Sequence, residues 1–152
     1  MKKKAAAKKP PEKKQPEKPK AFERTYRGGC HCGRIRFEVR GALDHVSECN
    51  CSICTKKAYV HWIVPRSAFR LLTKSDDIAS YAFNTKTARH LFCPNCGVAP
   101  FYIPRSDPEA FDINVRCLEG VNLSKLEREF FDGRNWEQAI VPYRQERARA
   151  AK

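Results

Sequence analysis

The sequence predicts an antiparallel all-β domain stapled by zinc, with a short C-terminal helix and a disordered basic tail at its N-terminus. Three observations predict it. Short runs of β-prone residues recur between turn signals, the clearest being Arg34-Ile-Arg-Phe-Glu-Val-Arg40, and leave little chain for helix. Seven of the eight cysteines fall into three tight clusters, Cys30-His31-Cys32, Cys49-Asn50-Cys51-Ser52-Ile53-Cys54 and Cys93-Pro94-Asn95-Cys96. The first 20 residues hold nine lysines, four prolines and two glutamates, with no aromatic or branched apolar side chain to bury.

The chain has 152 residues, enough for one domain with a modest core. We place that domain at residues 21 to 146, with residues 1 to 20 as the disordered tail and residues 147 to 152 as a frayed polar end. The tail carries +7 of the formal charge of +13, so the domain proper is mildly basic. Thiolate-bound metal makes it less so. No apolar run approaches the ~18 residues needed to span a membrane, and no hydrophobic segment follows the leading lysines. Neither secretion nor a membrane partner is expected. Clustered cysteines without such a signal point to a reducing compartment, where they bind metal more often than they pair. A cytoplasmic location is the simpler expectation and a nuclear one the alternative, because a lysine-rich stretch can serve as a nuclear address. Zinc is the expected metal, ahead of an iron–sulfur cluster, disulfides or redox chemistry.

Taken in order, residues 21 to 27 lead into Gly28-Gly29 and the first cysteine pair. On extended backbone Cys30 and Cys32 would point to one side, with Gly33 allowing a tight turn and His31 pointing away as an exposed or hydrogen-bonded side chain. In residues 34 to 40, Ile35, Phe37 and Val39 share one face and the charges the other. Residues 41 to 48 form a short connection. Ala58-Tyr-Val-His-Trp-Ile-Val64, stopped by Pro65, is a largely buried strand in which His61 reads as a satisfied core histidine. Residues 69 to 72 and 78 to 83 are strands around a turn at residues 74 to 77, and residues 87 to 92 run into the last cysteine pair. Residues 98 to 103 and 111 to 115 are two further strands, with Cys117 beyond them as a small buried residue. Residues 123 to 131 are ambiguous, and residues 135 to 145 form a short helix with Trp136 and Ile140 turned inward. The sum is six or seven short strands.

The cysteine arithmetic suggests a function. Structural zinc is closed by four protein ligands, whereas catalytic zinc commonly keeps three and an open position. The outer pairs supply four thiols and tie segments some 60 residues apart, leaving three in the central CxCxxC run. Cys93-Pro-Asn-Cys-Gly97 has the form of a zinc knuckle, in which the turn aims backbone N–H groups at the sulfurs.

With these residues in place, the chain resembles the glutathione-dependent formaldehyde-activating enzymes (GFA family). The resemblance runs from about Tyr26 to Ile140. It rests on Gly-Gly-Cys-His-Cys-Gly (28 to 33), Cys-Asn-Cys-Ser-Ile-Cys (49 to 54), Val-Pro-Arg-Ser-Ala-Phe-Arg-Leu-Leu (64 to 72) and Arg-His-Leu-Phe-Cys-Pro-Asn-Cys-Gly-Val (89 to 98). Pro-Arg-Ser-Asp-Pro (104 to 108) and Val-Arg-Cys-Leu (115 to 118) look closest to the branch that includes centromere protein V (CENP-V). The resemblance implies a β-tent fold with two Zn2+ ions, a structural one on Cys30, Cys32, Cys93 and Cys96 and a catalytic one on Cys49, Cys51 and Cys54. It also implies a carbon–sulfur lyase, joining a small thiol such as glutathione to an aldehyde carbon or cleaving that bond. An open zinc suits such work, by activating the thiol or by polarising the aldehyde oxygen. Lys56, Lys57 and Arg105 stand as candidates to meet the carboxylates of a glutathione-like substrate. No side chain is marked as a dedicated general base, His90 being a candidate at most.

A second class of function stays open at the level of sequence. In it the domain is a non-catalytic zinc module, and the lysine tail holds nucleic acid or chromatin without sequence preference. Against this, the tail has no interleaved aromatic residues and the domain no nucleic-acid motif, and a solubilising extension accounts for the lysines equally well.

Overall fold

The structure is a computed structural model and describes residues 23–150. The lysine tail, and with it the expectation of nucleic-acid binding, lies outside the described residues. Strands β1 (Arg24–Gly29) and β2 (Arg36–Gly41) form an antiparallel hairpin whose turn carries the first cysteine pair. Next come β3 (Val46–Cys49), the one-and-a-half-turn helix α1 (Ser52–Lys57) and β4 (Val60–Pro65). The rest of the chain supplies β5 (Phe69–Leu71), β6 (Ala79–Tyr81), β7 (Arg89–Phe92), β8 (Phe101–Ile103), β9 (Ala110–Asn114), β10 (Arg128–Phe131) and α2 (Trp136–Ala150). The strands form a three-stranded sheet, β1-β2-β5, and a seven-stranded sheet, β10-β3-β4-β9-β8-β7-β6.

The domain is therefore all-β with one C-terminal helix of any length, but it differs in detail from the sequence expectation. Ten strands are present among the described residues where six or seven were expected. β1 and β3 carry no strand signal in sequence because each has a single buried apolar residue, Tyr26 and Val46, and so no alternating pattern. Pairing with a partner strand, not local propensity, makes them strands. The helix α1 is too short to show a helical period. The sheet is also not wholly antiparallel: β10, in the segment that sequence left ambiguous, lies parallel to β3, with Arg128 opposite Val46 and Phe131 opposite Cys49. A parallel neighbour needs a long crossover, and some 80 residues of chain make this one, which no local pattern reports. Finally α2 runs to Ala150, past the expected end at Gln145, and contains Pro142, tolerated although its ring removes one helical N–H.

Register explains how one sheet builds both the core and the site. Side chains alternate along a strand, so residues paired across strands share a face. Trp62 pairs with Ile113, Val64 with Phe111 and Phe101 with Ile113, which collects the apolar side chains on one face. That face meets Tyr26, Phe37, Val39 and Phe69 from the small sheet, with ring centroids 5.4 Å apart for Tyr26 and Trp62, 5.5 Å for Phe37 and Phe101, and 4.4 Å for Phe69 and Phe111. The opposite face carries Ser47 paired with His61, Asp112 with Tyr102, and Tyr102 with His90. A polar row thus crosses the outer face of the large sheet. His61, Asp112 and His90 in that row are nevertheless buried, and they line a cavity shared with Ile53 and Cys54 of α1 and Trp136 of α2.

Candidate metal centres and the cavity beside them

Cys30, Cys32, Cys93 and Cys96 come together with all sulfurs within 4.8 Å of one another. The Sγ atoms of Cys30 and Cys32 are 3.6 Å apart, as are those of Cys32 and Cys93, which lie 61 residues apart in sequence. Zinc–sulfur bonds of ~2.3 Å in a tetrahedron put sulfurs ~3.8 Å apart, so the donor set fits zinc. The first pair sits in a turn, not on the extended backbone that its CxC spacing suggested. Gly33 N–H donates to the Cys30 carbonyl at 3.2 Å, and Ile35 N–H donates to the Cys30 sulfur at 3.2 Å. The second pair repeats the construction, with Gly97 N–H donating to the Cys93 carbonyl at 2.8 Å. Gly33 and Gly97 have φ of +78° and +74°, where a Cβ is disfavoured. The cluster is electrostatically uneven. Hydrogen bonds from Asn95 and from the Arg34 backbone hold the exposed Cys32 thiol down at about 6, while burial pushes Cys30 up to about 11. His31 is exposed beside it.

Cys49, Cys51 and Cys54 form the second cluster, again with sulfurs within 4.8 Å of one another. Cys49 ends β3, Cys51 caps α1 and Cys54 is buried within that helix. Contact with the sulfurs of Cys49 and Cys54, followed by the N–H groups opening α1, holds the Cys51 thiol far below its ordinary range. Contact with the sulfurs of Cys49 and Cys51, in turn, pushes the Cys54 thiol up. One low thiolate among protonatable partners is what crowded sulfurs produce, and a cation is what relieves it. A segment from the far end of the sequence braces the loop. Asn50 donates from Nδ2 to Asp132 Oδ1 at 2.7 Å, and its Oδ1 accepts from the Arg134 N–H at 3.0 Å. Arg134 Nε donates to the Asn50 carbonyl at 3.1 Å. Between them, Gly133 lies so close that a Cβ would collide with Cys49 Sγ and come within 2.9 Å of Cys51 Cβ. Gly133→Ala is therefore expected to weaken metal binding at this cluster by about 10- to 100-fold, the equivalent of roughly 1–3 kcal/mol of overpacking. Competition with a chromophoric chelator measures it.

The three sulfurs line a cavity of about 680 Å³, which also takes in His61, Tyr102, Arg105 and Trp136. That volume is ordinary for a small-molecule site. Of the three basic residues proposed from sequence to meet substrate, only Arg105 lines it. Its guanidinium stacks 3.6 Å from the Trp136 ring and pairs with Glu137 at 2.9 Å. Lys56 is exposed on α1, and Lys57 turns toward the Phe92 ring at 6.0 Å. Neither lines the cavity. The Pro104–Pro108 turn that holds Arg105 also anchors α2, through Tyr143 Oη donating to Asp107 Oδ2 at 2.8 Å and Arg147 pairing with Asp107 at 3.1 Å. Trp136 is half-buried and Ile140 buried.

His90 is stacked between Phe83 and Tyr102, with centroids 5.6 Å and 5.0 Å away. Burial, reinforced by Lys57, lowers its pKa to about 4, so it is a neutral stacking ring rather than a base at neutral pH. Cys117 stands apart from both clusters, its sulfur 4.0 Å from the Ala99 carbonyl and its thiol pushed up by burial to about 11. Sequence reasoning missed Asn50, Gly133, Asp112 and the place of His61. Asn50 stood within a motif already singled out, and a histidine alternating with Val60 and Trp62 faces away from the core by period two alone. Gly133 and Asp112 gave no local signal.

Fold and clusters together define a β-sheet protein with two thiolate sites able to hold zinc. The family model of the glutathione-dependent formaldehyde-activating enzymes matches residues 25–134, and the chain belongs to that family. It is also similar to a Rhodobacter sphaeroides protein solved as a crystal structure by structural genomics, at 31% identity and a TM-score of 0.62 over 68% of this chain and 99% of that one. Among the described residues, no helix is long and apolar enough to cross a membrane.

Proposed function

We propose that the protein is a zinc-dependent carbon–sulfur lyase of the family's type, forming or cleaving the bond between a small thiol, glutathione or one like it, and an aldehyde carbon. The observation that carries this is the convergence of three cysteine sulfurs, and no fourth protein ligand among the described residues, on the wall of a cavity of about 680 Å³. Two ions fit the two clusters. Cys30, Cys32, Cys93 and Cys96 hold a closed structural site, and Cys49, Cys51 and Cys54 hold the catalytic one. Zinc there supplies Lewis acidity to a thiol or an aldehyde oxygen.

The rest of the task falls to the chain. The Asn50, Asp132 and Arg134 hydrogen bonds fix the loop that presents the three sulfurs. Arg105, held flat on Trp136, offers a guanidinium edge to a substrate carboxylate once Glu137 is displaced, an exchange favoured by the exposure of Glu137. The motifs at residues 104 to 108 and 115 to 118 support placing the chain in the centromere-protein-V-like branch. The test is NMR exchange spectroscopy on zinc-replete protein with glutathione and formaldehyde. Catalysed interconversion of free aldehyde and hemithioacetal, above the rate in buffer, is expected. A rate equal to buffer for glutathione and for a panel of small thiols would overturn the proposal.

A further inference from the structure

The outer face of the large sheet holds a buried acid–histidine pair beside the three-cysteine cluster. His61 on β4 pairs in register with Asn114 on β9, and Asp112 lies two residues along β9 on the same face. This diagonal placement lets the side chains meet. His61 Nδ1 and Asp112 Oδ2 are 2.8 Å apart, and the two side chains are 6% and 2% exposed. A carboxylate only accepts, so Nδ1 carries the hydrogen and Nε2 is the nitrogen left over. Nε2 is buried and has no hydrogen-bond partner among the described residues, which is costly unless something else meets it. His61 lines the same cavity as Cys49, Cys51 and Cys54. Tyr59 and Tyr102 flank its ring at 4.8 Å and 6.1 Å and fix its plane, and Tyr59 Oη donates to the Asp112 carbonyl at 3.1 Å.

We propose that His61, oriented by Asp112, is the proton-transfer group for the oxygen of the aldehyde adduct. The inference rests on the lyase reading above. In the direction of bond formation, the thiolate electron pair makes the sulfur–carbon bond and the carbonyl π pair moves to oxygen. That oxygen takes the proton from His61 Nε2, and the proton released by the thiol to water restores the imidazolium. In cleavage, Nε2 takes the hydroxyl proton, the carbonyl reforms and the sulfur–carbon pair leaves with sulfur. Asp112 touches no reacting atom and is a positioning residue, keeping the hydrogen on Nδ1 and stabilising the imidazolium.

The charged and titratable groups facing His61 are few. Asp112 comes from β9, Tyr102 from β8, His90 from β7, Tyr59 from the residue before β4, Cys51 from the start of α1 and Glu48 from β3. Burial works against the imidazolium, but Asp112, Cys51 and Glu48 together outweigh it, and the balance raises the His61 pKa.

The decisive experiment compares wild-type, His61→Gln and Asp112→Asn proteins with glutathione and formaldehyde, alongside zinc content, melting temperature and the pH profile of kcat. His61→Gln is expected to lower kcat by roughly 10²- to 10⁴-fold, the usual worth of positioned acid–base catalysis, while binding as much zinc as wild type. The ionisation that wild type shows in kcat should vanish with it. Asp112→Asn should shift that ionisation to lower pH with little change in KM. His61→Gln turning over within about twofold of wild type, with the same pH profile, would overturn the inference while leaving the lyase reading intact. A wild type with no turnover would overturn both. Should the Gln variant lose its fold, ¹⁵N NMR titration of the wild-type His61 ring decides: agreement of its pKa with the kinetic one supports the role, and disagreement removes it.

Discussion

Replacing Cys51 by alanine is expected to abolish turnover, by roughly 10³-fold or more, while the fold remains. Metal catalysis of this kind supplies several kcal/mol to the transition state, and each 1.36 kcal/mol is about tenfold in rate. Cys51 has its sulfur beside those of Cys49 and Cys54 and its thiolate stabilised at the start of α1. Two thiolates do not hold zinc as three do, so the ion and its chemistry leave together. Little else changes. The helix-opening bond from Thr55 N–H to the Cys51 carbonyl, 3.0 Å, belongs to the backbone and survives the substitution. Elemental analysis should show zinc falling from two ions per chain toward one, with the far-ultraviolet circular dichroism and melting temperature close to wild type. Unchanged turnover in that variant would remove the catalytic role of the cluster.

Replacing Cys93 by serine is expected to do the reverse, costing stability before chemistry. Cys93 is fully buried, and its sulfur joins Cys32 across 61 residues of chain. Opening a cross-link around a loop of that length costs roughly 3–5 kcal/mol, or about 10–20 °C in melting temperature for a domain of this size. The serine hydroxyl left in an apolar pocket adds to the loss. Thermal unfolding with and without a strong chelator measures it: wild type should lose the same increment on metal removal, and the variant should lose much less. A melting temperature unaffected by both treatments would show that the four-sulfur cluster is no staple. The two variants together separate the proposed roles, since one is expected to spare the fold and lose turnover while the other loosens the fold around an intact three-cysteine cluster.

Local chemistry made much of this protein legible from its sequence. Thiols at CxC, CxCxxC and CxxC spacing lie within a turn or two of one another, so each cluster declares itself. Alternation of Ile35, Phe37 and Val39 with charged neighbours marks a strand with one buried face wherever the strand ends up. Apolar and aromatic runs at residues 58 to 64 and 111 to 115 likewise marked the sheet. Outside those runs the sequence was silent for a physical reason. β1 and β3 carry too few apolar residues to be strands alone, and they take their conformation from the ladder beside them.

Tertiary structure alone decided which distant residues share a face. It set β10 parallel to β3 and so delivered Gly133, with the Asp132 and Arg134 that bond to Asn50, to the three-cysteine loop. It left Lys56 and Lys57 outside the cavity and admitted Arg105. It turned His61 from a core histidine into half of a pair with Asp112, two residues 51 apart in sequence. Spacing along the chain determines what neighbours in sequence can do together, because backbone geometry is local and repeats. Contacts between segments depend on the register and order of strands, and those follow from the burial of the whole sheet at once.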